Sequence, residues 1–307
     1  MRKYEITDIA HPDTPSLHRI RAVVDILKYD IKAGDLGGYI EKESNLSHEG
    51  NCWVYGTARV CGNAVVYGNA EVRGNAEVCG NARVCGDAEV CDDAVVFGDA
   101  EVYDDAKVCD NAQVYGYAEV CDNAWVWGNA KVCGNARVCG YAEVCDNAVV
   151  YGNAEVRGNA EVCDDAVVYG YAKVYDNVKV CGDAEVYDDA KVCDNAQVYG
   201  YAKVCGDAKV CGYAKVYGNA HVYDDAKVWG DAKVSSPYDI LTISPVGSRA
   251  ACLTILGNKT CTTECFYGTI DEFLAAVQKT HGDNKYAKQY QCIIKCAYEY
   301  FGWAAVE

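Results

Sequence analysis

The chain has 307 residues, with 45 Asp and Glu against 28 Lys and Arg, a formal net charge of −17. This balance argues against nucleic acid or an anionic membrane surface as partner, since both recruit basic faces. No stretch approaches the about 20 apolar residues of a membrane-spanning helix, and the opening MRKYEITDIAHPD lacks an apolar leader core, so the expectation is a soluble cytoplasmic protein whose twenty Cys are reduced thiols.

Residues 1–49 lie outside any repeat. They contain an apolar strand-like piece, RIRAVVDI, and a turn-rich entry, KAGDLGGYIEKESNLSHEGN, and are expected to cap the repeats that start at Gly50. From Gly50 to Ser235 the chain parses without a gap into 31 hexapeptides of consensus (G/D)-(N/D/Y)-A-x-V-(C/Y). The fifth position is Val in all 31 units and the third is Ala in 29, with Cys52 and Val178 as exceptions. A period of six does not suit a helix. Ala-x-Val reads as a three-residue strand with Ala and Val on one side and x on the other. The next three residues supply corner chemistry, because Gly, Asn and Asp tolerate positive φ.

Three strands and three corners close a triangular coil of eighteen residues, and coils stack as parallel strands at about 4.8 Å, giving a rod of about 50 Å. The expected fold is mainly β: a parallel β-helix of about ten coils over residues 50–235, between an N-terminal cap (1–49) and a small C-terminal α+β domain (236–307). In that domain TISPVGSRAACLTIL and TCTTECFYG read as strands. Thr269 and Glu272 form a capping box for a helix ending at Gly282. A last helix over about 284–301 carries Tyr290, Ile293, Ile294, Ala297 and Phe301 on one stripe.

The stretch GDLGGYIEKESNLSHEGNCWVYG (34–56), followed by GNA-x-V units, resembles a group of bacterial and phage hexapeptide-repeat proteins, some of which are called transferases because of their fold. The segments PVGSR (245–249), CFYGTIDEF (265–273) and THGDNKYAKQY (280–290) resemble an uncharacterised domain found in some of them. The resemblance implies a left-handed coil. It also brings acyltransfer, with a His as general base, as a candidate activity, and a homotrimer as an assembly known for the fold. It carries over no catalytic residue.

A catalytic base needs a pocket and a partner. His221 occupies an outward x position on uninterrupted repeats and reads as a solvated side chain; His48 and His281 are the other candidates, in the terminal segments. Fourteen Cys occupy the sixth position, and eighteen-residue spacing stacks Cys145, Cys163 and Cys181 in one column and Cys61/Cys79, Cys121/Cys139 and Cys193/Cys211 as pairs. Such ladders suit soft ions or oxidation, but closed zinc sites need four convergent ligands, which a line does not offer. Cys261, Cys265, Cys292 and Cys296 form a second candidate metal set in the tail. Lys173, Lys191, Lys209 and Lys227 stack at x positions and, with Arg249, are the anion-binding candidates, although corner Asp residues stand close to the lysines.

These features together favour a non-catalytic structural or interaction scaffold without cofactor, binding a protein partner or itself. An acyltransferase-like enzyme with a site in the terminal domains or at a subunit interface is the first alternative, and metal or thiol-redox binding by stacked Cys the second.

The repeats also carry a record of duplication. The segment at 62–79 recurs at 146–163 with one change, an offset of 84 residues or fourteen hexapeptides. Fourteen is not a multiple of three, so the copy is rotated by one face. A site tied to one column is scrambled by that step, while the register of Ala and Val is kept.

Overall fold

A computed structural model describes residues 2–304. The chain forms two compact units, residues 1–170 and 171–307.

In the first unit, two strands, Tyr4–Ala10 and His18–Ala22, pair antiparallel, and the second pairs with Leu36–Ile40. The Leu36–Ile40 strand then pairs in parallel with Arg59–Val60 and starts the coils. An antiparallel layer thus occupies the strand edge that a bare parallel stack would leave open. Behind it Tyr4, Ile20, Ile40, Leu46 and Trp53 are fully buried. Lys3 is buried with them, and its ammonium donates to the carbonyls of Cys52 (2.8 Å) and Gly50 (3.4 Å) and lies 3.1 Å from the Cys52 sulfur. Nothing in the composition of residues 1–49 announces a buried lysine.

The coils repeat every eighteen residues on three faces. One face runs Arg59, Glu77, Val95, Gln113, Lys131, Val149, Val167 in direct parallel register. The others run Trp53, Glu71, Glu89, Lys107, Trp125, Glu143, Glu161 and Val65, Arg83, Glu101, Glu119, Arg137, Glu155. The strands cover x and Val, not Ala-x-Val as the sequence suggests, and two of them, Val95–Gly98 and Gln113–Gly116, run on into the corner. The reason is visible in the hydrogen bonds. The N–H of each x residue donates to the Ala carbonyl one coil on, as Arg59 to Ala76 at 2.9 Å, so Ala joins the ladder by its carbonyl. Its N–H instead turns back to the sixth residue of the preceding unit, as Ala64 to the Cys61 carbonyl at 3.2 Å. Every Val at position five and every Ala at position three is buried.

Position one is left-handed throughout, with φ of 53–78° at Gly and 54–67° at Asp. Asp suits this strained site because its carboxylate accepts from the N–H of the corner one coil on, as Asp122 from Gly140 at 2.9 Å and Asp110 from Gly128 at 3.1 Å. Position two builds an amide ladder outside, as Asn63 to Asn81 (3.2 Å) and Asn81 to Asp99 (3.0 Å).

Within the second unit the coils have the same geometry, with Lys173, Lys191, Lys209 and Lys227 in register on one face. After a single 3-10 turn at Pro237–Asp239 the chain leaves the coil pattern. It then forms a four-stranded antiparallel sheet of Ile240–Val246, Ala251–Leu256, Thr260–Thr262 and Tyr267–Thr269. Helix α1 (Ile270–His281) opens on the expected box: the Thr269 side chain accepts from the Glu272 N–H, and Glu272 accepts from the Thr269 N–H at 2.8 Å. Helix α2 (Lys285–Tyr300) buries Tyr290, Ile294 and Ala297 of the expected stripe, with Ile293 and Phe301 half-buried at its margin.

Replacing Val114, fully buried, with Ala is expected to lower unfolding stability by about 2 kcal/mol through lost transfer energy and a residual cavity. Replacing the exposed Glu143 with Ala should stay within about 0.5 kcal/mol. Urea unfolding of both variants measures this, and equal losses contradict the assignment of faces.

Candidate functional site

The sheet and two helices of the second unit enclose a core of Val246, Leu253, Ile255, Cys261, Ile270, Phe273, Val277, Tyr290 and Ile294. At its margin lies a cavity of about 220 Å3. Phe266, Phe273, Ala276 and Val277 supply apolar walls, and Ser248, Arg249, Thr263, Glu264, Cys265, Thr280 and His281 supply polar ones. The hairpin turn between Val246 and Ala251 sets the position of Arg249. Gly247 in that turn has φ +74°, and the Tyr290 hydroxyl occupies the space a side chain there needs. The Gly247 N–H donates to the Gln289 side chain at 3.1 Å, tying the turn to α2. Burial pushes the Tyr290 hydroxyl up, the Cys265 sulfur adds to this, and Arg249 opposes it, so the three groups share one electrostatic neighbourhood.

Three candidates from different classes therefore meet here: Arg249, His281 and Cys265. Their sequence separation gives no hint of convergence. The His281 ring lies against the rings of Tyr286 (5.8 Å between centroids) and Tyr290 (6.1 Å), and among the described residues no carboxylate bonds to it. His221 is exposed on a coil face, in register with Lys203. His48 stacks on Tyr4 at 4.4 Å and contacts Glu43 at 2.9 Å, and Glu43 also takes Arg2. These contacts hold the Glu43 carboxyl below its usual range, His48 contributing most. The three histidines occupy separate places.

The four tail cysteines do not converge either. Cys261 is in the core, Cys265 is exposed beside the cavity, and Cys292 and Cys296 are exposed on α2. Among the described residues, groups of three metal-ligating atoms occur on the coils, as Cys61, Glu77 and Cys79 and as Cys121, Asp122 and Cys139.

A second concavity, of about 450 Å3, lies over the lysine face. Lys191, Lys209 and Lys227 alternate with Asp189, Asp207 and Asp225 on one side, and Ser244, Ala250, Ala251, Cys252 and Glu264 form the other. The Lys227 N–H donates to the Thr254 hydroxyl at 2.9 Å, anchoring the sheet to the coil. The lysine stack is as the sequence spacing indicates. The wall facing it comes from tertiary folding alone.

On the coils the expectation of twenty reduced thiols needs correction: Cys193 and Cys211 are disulfide-bonded, with Cα atoms 4.7 Å apart. That separation is one rung of the stack and falls inside the reach of a disulfide. One more pair, Cys91 and Cys109, also stacks, since the Cys91 N–H donates to the Val108 carbonyl. Its spacing of eighteen is the sequence signal that identifies it, the same signal that marks the other pairs.

Gly247→Ala is expected to cost about 1–3 kcal/mol, combining left-handed strain with displacement of Tyr290. Gly302→Ala, with φ +65° but open space around the new methyl, should cost clearly less. Thermal unfolding of the two variants separates backbone strain from the Tyr290 contact. Among known proteins, a family model described as YdcK Beta solenoid repeat matches residues 58–74, a seventeen-residue stretch of the coils. No curated protein matches the chain. The similarity is to a β-solenoid repeat and includes no residue of the cavity.

Proposed function

We propose that the chain is a non-catalytic interaction scaffold, in which the β-solenoid is the frame and the C-terminal sheet and helices receive a protein partner. The observation that carries this reading is the cavity of about 220 Å3, with aromatic and aliphatic walls and a polar rim holding Arg249, Glu264 and His281. Such a site suits a single anchoring side chain of a partner, with rim contacts for orientation. The solenoid contributes stiffness: its interior is Ala and Val, each rung hydrogen-bonded to the next. Acyl transfer is the less favoured reading. His281 and Cys265 share the cavity, but a general base needs an oriented ring, and His281 has tyrosine rings and no acid against it among the described residues.

The role needs no metal cofactor, so protein purified anaerobically should carry no stoichiometric zinc, copper or iron; finding one overturns that part. Affinity capture from the native host, with Ala276→Trp to fill the cavity and His221→Ala as a surface control, tests the scaffold. The expected result is a partner, a second copy of the chain included, bound by the parent protein and by His221→Ala and weakened at least about tenfold by Ala276→Trp. A partner unaffected by filling the cavity refutes the assignment.

A further inference from the structure

We propose that the stacked cysteine pairs Cys61/Cys79, Cys91/Cys109, Cys121/Cys139 and Cys145/Cys163 are oxidation sites that form cross-coil disulfides by exchange with a small-molecule disulfide, as Cys193/Cys211 is already bonded.

The geometry is common to all five. In each, the N–H of the first Cys donates to the Val carbonyl just before the second: Cys61 to Val78 (3.0 Å), Cys91 to Val108 (2.9 Å), Cys121 to Val138 (3.0 Å), Cys145 to Val162 (2.9 Å) and Cys193 to Val210 (2.9 Å). One backbone rung thus sets one Cα separation, and at Cys193/Cys211 that rung is spanned by a bond. Bonded Cys193 and Cys211 are as buried (6 % exposed each) as Cys91 (5 %) and Cys109 (8 %), and each of the other pairs has at least one half-buried Cys.

Three of the pairs also show an asymmetry that favours exchange. Within each, one thiol donates to the other sulfur and stabilises it as thiolate. Cys91 does this for Cys109, which is lowered to about 7 against the opposing effect of burial, with the Trp125 indole N–H donating as well at 3.1 Å. Cys121 does it for Cys139, also lowered to about 7, and Cys79 for Cys61. A thiol titrating near ambient pH is the best attacking nucleophile. The step balances with oxidised glutathione as the named oxidant. The Cys109 thiolate attacks one glutathione sulfur, the glutathione S–S bond breaks, and one glutathione thiolate leaves. Cys91, losing its proton, then attacks the Cys109 sulfur of the mixed disulfide and expels the second. Two protein thiols and one disulfide become one protein disulfide and two glutathione thiols.

The copying history retains one of these pairs. The offset of 84 residues carries Cys61 to Cys145 and Cys79 to Cys163, and places the copy on another face: Arg59 and Glu77 lie in one ladder, Glu143 and Glu161 in another. A site needing a whole column does not survive that rotation. A site needing two rungs one coil apart can survive it, and Cys61/Cys79 does, whereas the same offset carries Cys91/Cys109 to Tyr175/Cys193 and Cys121/Cys139 to Cys205/Tyr223.

The test uses the full chain, reduced, freed of reductant, incubated with oxidised glutathione, alkylated and digested without reduction, in one arm with trypsin and in a second with trypsin and a Glu-specific protease. Trypsin separates Cys61 from Cys79 but leaves Cys85 with Cys91, Cys109 with Cys121 and Cys139 with Cys145 on shared peptides, and the added cuts after Glu89, Glu119 and Glu143 place each of these cysteines on its own peptide. Expected are the linkages 61–79, 91–109, 121–139 and 145–163, each two hydrogens lighter than its free peptides. Cys85 and Cys133, whose column neighbours are tyrosines, should be alkylated or carry glutathione but join no other protein cysteine. Cys109→Ser should lose the 91–109 linkage alone and leave Cys91 unbridged. Glutathione mixed disulfides at the paired positions in place of internal bridges, or bridges involving Cys85 or Cys133, overturn the proposal.

Discussion

The hydrogen bond from the N–H of each x residue to the Ala carbonyl of the next coil is the interaction everything else hangs from. It recurs on all three faces at about 2.9 Å, and it sets a rung spacing that side chains must accept. Positions three and five point inward at that spacing, so only small and branched apolar groups fit. Outward positions are free to vary, which is why x ranges over Lys, Glu, Arg, Val, Gln, Trp and His without disturbing the coil. The same spacing brings like residues together. Phe97 and Tyr115 stack at 4.8 Å, and Tyr151 and Tyr169 at 4.9 Å, for the reason that Cys193 reaches Cys211.

The corners answer a second demand. Each coil must turn three times through a left-handed residue, and an L-residue there is strained. Gly removes the strain at the cost of a looser unfolded chain. Asp keeps the strain but offsets it with a carboxylate hydrogen bond to the next coil, so the two residues alternate at one position for different physical reasons. The acidic charge of the protein arises in part from this use of Asp in corners, and so reflects architecture as much as partner choice.

Much of this is legible in the chain before folding is considered. Val in every fifth position and Ala in nearly every third indicate a six-residue strand-and-corner unit, and Thr269 with Glu272 marks the start of α1. Column membership is also readable, and the lysine stack obeys it. Local patterns mislead where one residue has two duties. Ala has the pattern of a strand residue, but its N–H closes the corner. RIRAVVDI has the pattern of one strand, but pairing stops at Ala22. The functional candidates are less legible still, because Arg249, Cys265 and His281 come from a hairpin turn, a loop and a helix end with no common period.

What the sequence determined by itself is the repeat: its period, its buried positions, its corner residues and the stacking of residues eighteen apart. These depend on local backbone geometry and on a single translation, both of which periodicity encodes. Only the tertiary structure decided where the C-terminal sheet lies against the lysine face, that Lys3 is buried against Cys52, and which scattered polar groups share a cavity. Those outcomes depend on contacts between segments with no shared period, where packing of particular surfaces, not repetition, selects the arrangement.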